Sequence, residues 1–109
     1  MKILHVEDLR DWQEAVFEAF PEHEVVSVAK ISEAQEMVRS GEFDVVICDG
    51  TVQEADDGLA LAFELYDRLF RVGVFSAGIN RFKKYPFPTL DKSEYTSELL
   101  RGFLEEIVN

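Results

Sequence analysis

The stretch VVICDGTV, residues 45–52, decides how the rest of the chain is read. Four apolar residues run into Asp49, and Gly50 and Thr51 follow. A short run with almost no polar alternation fits a central strand covered on both faces. In an open parallel sheet, ligands bind outside the carboxyl ends of the strands. Asp49 therefore stands where chemistry is expected, and its meaning depends on what closes the other strands.

Upstream of it, Lys2–Val6 (KILHV) reads as a first strand that ends at the acidic pair Glu7 and Asp8. Residues 9–20 place Leu9, Trp12, Val16, Ala19 and Phe20 on one helical face, and Pro21 stops that helix. Glu24–Val28 (EVVSV) is a second strand. Ser32 is expected as the N-cap of the next helix, with Gln35 as its capping-box partner. Ala34, Met37 and Val38 form its buried side, and Gly41 is its stop. Residues 44–48 make the third strand.

Downstream, residues 59–70 read as a helix with Leu59, Ala62, Phe63, Tyr66 and Leu69 in register. Asp56 and Asp57 are its expected cap and first-turn acids. Residues 72–75 (VGVF) form a fourth strand leading into Ser76, Ala77 and Gly78. The segment INRFKKYPFP, residues 79–88, carries no good helical pattern. Thr89–Asp91 is a short fifth strand. A last helix starts at Ser93 or Thr96, with Tyr95, Leu99, Phe103 or Leu104, and Ile107 inward. Alternating strands and helices with short connections imply an α/β fold with an open parallel sheet and right-handed crossovers.

At 109 residues the chain suits one domain, residues 1–109, and needs no disulfide or metal staple. With 47% hydrophobic and 30% charged residues, its composition is that of an ordinary soluble globular protein. No apolar run approaches the roughly 20 residues of a membrane span, and acidic residues arrive too early for a secretory signal. The net charge of −11 repels nucleic acid and anionic lipid, so neither is an expected partner. The lone cysteine, Cys48, reads as a buried core thiol and fits a cytoplasmic location. His5 and His23 read as structural, and Trp12 as a packing residue rather than a ligand stacker.

The predicted strand ends bring together Glu7, Asp8, Asp49, Ser76 and Lys92. Clustered carboxylates repel unless a cation joins them, and an oxygen-only ligand set suits Mg²⁺. A carboxylate can itself be the nucleophile that forms an aspartyl phosphate. A lysine and a hydroxyl then meet the charge on the phosphoryl oxygens.

On these residues the chain resembles the receiver domain of bacterial two-component response regulators. The matching motifs are ILHVED with Glu7 and Asp8, DVVICD with Asp49, VFSAG with Ser76 and Ala77, and TLDK with Lys92. The resemblance implies a flavodoxin-like doubly wound sheet of five parallel strands in the order 2-1-3-4-5. It implies that Asp49 accepts a phosphoryl group from a histidine kinase or a histidine phosphotransfer protein. Asp8 and Asp49 would bind Mg²⁺ directly, Glu7 through water, and Thr51 through its backbone carbonyl. Ser76 would hydrogen-bond the phosphoryl group and Lys92 would pair with it. Such a chain is a phosphoacceptor rather than an enzyme acting on other molecules. As a stand-alone monomer or weak dimer, it would signal through protein contacts.

Three departures accompany the match. Thr89 stands where the family usually has an aromatic switch residue, and Ser93 where it usually has proline. Only 16 positions separate Ser76 from Lys92 (92 − 76), so the fourth helix is expected to be shortened or missing. These departures keep open a second reading, a receiver-like interaction domain that no longer switches on phosphorylation. The basic and aromatic residues Arg81, Phe82, Lys83, Lys84 and Tyr85 are either a partner surface or a solvated loop with its aromatics tucked onto the sheet. The DGT triplet also occurs in haloacid-dehalogenase-type phosphatases within DxDGT, but Ile47 stands at the nucleophile position and removes that reading.

Overall fold

The structure, a computed structural model, describes residues 1–52, 57–80 and 82–109. Five strands pair in parallel, β1 (Lys2–Val6), β2 (Glu24–Val28), β3 (Val45–Cys48), β4 (Val72–Ser76) and β5 (Thr89–Asp91). Their order across the sheet is β2-β1-β3-β4-β5. Four α-helices are described, α1 (Arg10–Ala19), α2 (Ile31–Arg39), α3 (Asp57–Asp67) and α4 (Ser97–Val108), with a 3₁₀ turn over Lys92–Glu94. The doubly wound fold and its strand order are those expected.

Side chains alternate across each strand and so serve two cores. Leu4, Val6, Val46, Cys48, Val72 and Val74 face α2 and α3, where Ala34, Val38, Leu61, Ala62 and Leu65 meet them. Ile3, Val45, Ile47 and Phe75 face α1 and α4, against Val16, Phe20, Leu100, Phe103 and Ile107. Both faces of β3 are therefore covered, which is why all four of its residues are apolar and buried. Register sets the site. Val6 pairs with Cys48 and Cys48 with Val74, so Glu7, Asp49 and the end of β4 arrive at one edge.

Several local expectations are corrected. Ser32 is not the N-cap of α2: Lys30 is, and no side chain caps that end. Gly41 does follow the helix as its left-handed stop, with φ +71°. In α3 the buried face is Gly58, Leu61, Ala62 and Leu65. The expected face was offset, because α3 is apolar nearly all round and its period is ambiguous. Leu69, expected inside, is 92% exposed and sits beyond the helix at positive φ. In α4 Thr96 is the N-cap, accepting from the Leu99 N–H at 3.0 Å. There Leu100 is buried in place of Leu99.

Between β4 and β5 no helix occurs among the described residues. The chain passes instead as turns, held by rings. Phe87 is buried; it packs edge-on to Phe63 of α3 at 5.1 Å and stacks on Tyr85 at 5.8 Å. Tyr85 also lies near Phe63, and Tyr66 near Phe87. The loop therefore tucks in at Tyr85 and Phe87 only. Phe82 is 99% exposed, so the expectation of tucked aromatics fails there. Arg81 and Asp56 lie outside the described residues.

Candidate functional site

The site is built on the strand ends by backbone pairing. The Asp49 N–H donates to the Val6 carbonyl at 2.9 Å, and the Glu7 N–H to the Val28 carbonyl at 2.9 Å. These bonds continue the sheet by one residue and set the two carboxylates side by side. Gln13, from α1, donates to the Glu7 carbonyl at 2.6 Å, and the Leu9 N–H donates to Glu7 Oε2 at 3.2 Å. Oxygens of Glu7, Asp8 and Asp49 lie within 4.8 Å of one another. Glu7 is wholly buried and Asp49 nearly so, while Asp8 is open to solvent.

Lys92 closes the group from the β5 side. Its ammonium donates to Glu7 Oε1 at 2.5 Å and lies 3.5 Å from Asp49 Oδ2. One ammonium thus serves two buried carboxylates. Burial raises the Glu7 pKa to about 7; the Asp49 charge adds to that, and the Lys92 bond opposes it. Burial also holds the neighbouring thiol of Cys48 up at about 12, so it is inert as a nucleophile. His5 lies beneath the site on the same strand, with no hydrogen-bond partner for either ring nitrogen. Burial pushes its pKa down to about 3, and the Lys92 charge adds to that effect.

Ser76 closes β4, and its hydroxyl makes one long contact of 3.4 Å to the Ala77 carbonyl. A Cβ at Gly50 would lie 3.0 Å from that hydroxyl, so Gly50 leaves it room. Ser76, Thr51, Thr89 and Tyr85 together line a cleft of about 110 Å³ beside Asp49. The five residues Glu7, Asp8, Asp49, Ser76 and Lys92 are thus gathered at one sheet edge, with Thr51 at its rim. Phe82, Lys83 and Lys84 belong to the exposed loop instead.

Other residues that shape this corner carried little sequence signal. Gly58 is one. A Cβ there would stand 1.7 Å from the Asp49 carbonyl oxygen, so only glycine lets α3 begin against that carbonyl. The Leu59 N–H donates to the Gly50 carbonyl at 3.0 Å and fixes the same junction. Asp91 is another: one of its oxygens accepts from the Ser93 N–H at 2.9 Å, the other from the Ile79 N–H at 3.2 Å. It ties the β4–β5 connection to the turn that carries Lys92. An aspartate two residues before a turn N–H was the available clue.

No protein-family model matches the sequence, and no curated protein matches it. Solved structures do. The N-terminal domain of a response regulator/sensory box/GGDEF 3-domain protein from Carboxydothermus hydrogenoformans superposes with a TM-score of 0.82 at 19% identity, over 99% of this chain and 94% of that one. A response regulator from Thermotoga maritima gives 0.78 at 19% identity, over 98% and 96%. NtrX from Brucella abortus gives 0.78 at 20% identity over 98% of this chain, which spans only 26% of NtrX. Across its whole described length, the chain has the fold of a response-regulator receiver domain.

Proposed function

We propose that this chain is a phosphoacceptor of a two-component phosphorelay, with Asp49 as the acceptor. The observation that carries the reading is the placement of Asp49. It is nearly buried at the end of the central strand, 3.5 Å from the Lys92 ammonium and beside two further carboxylates. The three carboxylates supply only oxygen donors, a set that fits Mg²⁺. Asp8 and Asp49 would hold the ion, with Glu7 behind them and the Thr51 carbonyl at the rim. A bound Mg²⁺ supplies positive charge that neutralises phosphoryl oxygens.

In the transfer, an Asp49 carboxylate oxygen attacks the phosphorus of a phosphohistidine on a kinase or phosphotransfer protein. The new O–P bond forms as the P–N bond breaks, and the released imidazole keeps the electron pair and takes up a proton. Lys92 pairs with one phosphoryl oxygen, and Ser76, held by little else, turns its hydroxyl toward another. Aspartate is the right length for this, since its carboxylate stays against the lysine and the metal ligands.

The expected result is a phosphoryl mass gain on incubation with Mg²⁺ and acetyl phosphate, lost in Asp49→Asn. Absence of both that gain and any beryllofluoride-induced spectral change would overturn the reading. A second reading, a receiver-like domain with fixed binding, is favoured by Thr89 and by the β4–β5 segment, which carries no helix among its described residues. Partner affinity that changes on phosphorylation of Asp49 would exclude it.

A further inference from the structure

Lys92 is a long side chain whose tip must sit between two carboxylates. Four rotatable bonds would otherwise spread that tip over many positions. Glu7 alone does not fix it, since a hydrogen bond holds one end of one direction. Rings supply the remaining wall. The Lys92 ammonium lies over the ring of Trp12, 5.0 Å from its centroid, and 5.9 Å from the ring of Phe75. Trp12 comes from the first turn of α1. The ring is itself braced: it meets Phe75 at 5.4 Å and Tyr95 at 5.5 Å, both edge-on. Phe75 and Tyr95 contact each other at 6.0 Å. Three aromatics from α1, β4 and the turn after Lys92 thus form one rigid block.

Filling space explains the edge-on contacts of Trp12 but not its placement against the ammonium. An aromatic face attracts a cation electrostatically, and the attraction grows as water is excluded. Lys92 is 9% exposed, so the face replaces much of the lost hydration. It also imposes no hydrogen-bond direction. An ammonium held by a ring can turn from one acceptor to another without leaving its seat.

We infer that Trp12 is a positioning residue, whose indole face seats the Lys92 ammonium between Glu7 and Asp49. The seat itself does not depend on phosphorylation. Its effect on rate rests on the reading of Asp49 as phosphoacceptor: the ammonium pivots from Glu7 toward the incoming phosphoryl oxygen while the ring keeps it in place.

The test compares the full chain with Trp12→Phe and Trp12→Leu. Proton NMR reads the seat through the Lys92 ε-methylene protons, which an aromatic face displaces upfield. They are expected upfield of those of Lys30 and Lys84, less so in Trp12→Phe, and in Trp12→Leu only by the small shift that the more distant Phe75 ring leaves. Lys2 is no reference, because it lies over the Phe43 ring. Modification of Asp49 by acetyl phosphate at saturating Mg²⁺ is expected to slow roughly three- to tenfold in Trp12→Leu, and under about twofold in Trp12→Phe. Unshifted Lys92 protons in the wild-type chain would overturn the proposal, whatever happens at Asp49. So would a folded Trp12→Leu variant that reacts as fast as wild type, or equal slowing in Phe and Leu. If the proton shifts follow the ring but no variant takes a phosphoryl group, the seat stands and the phosphoacceptor reading falls. Should Trp12→Leu fail to fold, the wild-type shifts and the Trp12→Phe rate still decide.

Discussion

Two neighbouring regions of this molecule are held in opposite ways. The corner formed by Glu7, Asp49 and Lys92 is fixed by backbone pairing on β1 and β3, by a glycine contact and by charge. The β4–β5 connection is fixed by a few rings, chiefly Phe87 and Tyr85 on Phe63. The first region leaves little room for a change of shape, whereas the second carries no helix among its described residues and the fold stands without one. A site resting on strand ends needs only the strands, so its covering segment is free to diverge. The largest effect is expected in the rigid region. Gly58→Ala puts a methyl group into the Asp49 carbonyl, and neither backbone can yield cheaply. Denaturant unfolding should show a loss of about 3 kcal/mol or more. A loss under about 1 kcal/mol would mean that α3 shifts freely against β3.

The ring-held region is tested by Phe87→Ala. Phe87 is buried, and truncating a buried phenylalanine costs about 3 kcal/mol. If the regions are independent, beryllofluoride affinity at Asp49 should stay within about twofold, as for sites that share no partner. They meet where Tyr85, which stacks on Phe87, lines the cleft at Ser76, and where Asp91 ties Ile79 to the turn of Lys92. A tenfold drop in affinity would therefore join the two regions through Tyr85 and break the contrast.

The same division explains what could be read from the residues alone. Strand ends are set by apolar runs that stop at a polar residue, so Glu7, Asp49, Ser76 and Lys92 fell into place from their order along the chain. The strand order follows from the family resemblance and from the connections being short. The face of α3 was misplaced because Leu59, Leu61, Phe63, Leu65 and Tyr66 satisfy more than one helical stripe. Phe63 and Tyr66 turn out to face the rings of Tyr85 and Phe87 in the β4–β5 connection, a partner no local pattern announces. Trp12 looked like ordinary packing, because its contact with Lys92 spans 80 positions (92 − 12). Gly58 gave no sign of its role, since the need for glycine arises only when a helix start meets a strand-end carbonyl.

A smaller effect lies beneath the rigid corner. His5 is buried with both ring nitrogens unpartnered, and its folded pKa of about 3 lies below the ordinary 6.5. Between these values the unfolded chain binds a proton that the folded chain refuses. The His5 contribution is complete above pH 6.5 and is lost as pH falls. From pH 7 to pH 5 the loss is about 2 kcal/mol. His5→Leu should therefore stabilise the protein, and more at pH 5 than at pH 7, in paired denaturation curves. An equal gain at both values would show that His5 finds a partner for its proton.

Glu7 titrates in the opposite sense. With its folded pKa raised to about 7, the folded state keeps a proton that the unfolded chain releases above about 4.5. In metal-free protein its contribution is present below about 4.5 and is lost as pH rises toward 7. A cation competes with that proton. Mg²⁺ affinity at the proposed site should rise with pH up to about 7, by at most about tenfold per unit. Calorimetric titrations at pH 6 and 7 would read the slope, and Glu7→Gln should flatten it. A slope that survives Glu7→Gln would move the proton to another group.

The smallest effect on stability belongs to Phe82, and it sharpens the contrast most. Its ring is 99% exposed, on a turn closed by the Asn80 side chain accepting from the Phe82 N–H at 3.0 Å. That bond uses the backbone, so Phe82→Ser should keep the turn. Stability should change by no more than about 0.5 kcal/mol. A ring that packs against nothing in the fold is free to meet a partner surface. Lys83 and Lys84 follow it, on a chain whose net charge is −11, so the loop is a local exception in sign as well as in polarity. If the proposed output passes through this loop, Phe82→Ser should weaken partner binding while leaving phosphorylation of Asp49 untouched. If Phe82→Ser instead slows phosphorylation, the loop belongs to the reaction, and the line between a fixed corner and a free cover has been drawn in the wrong place.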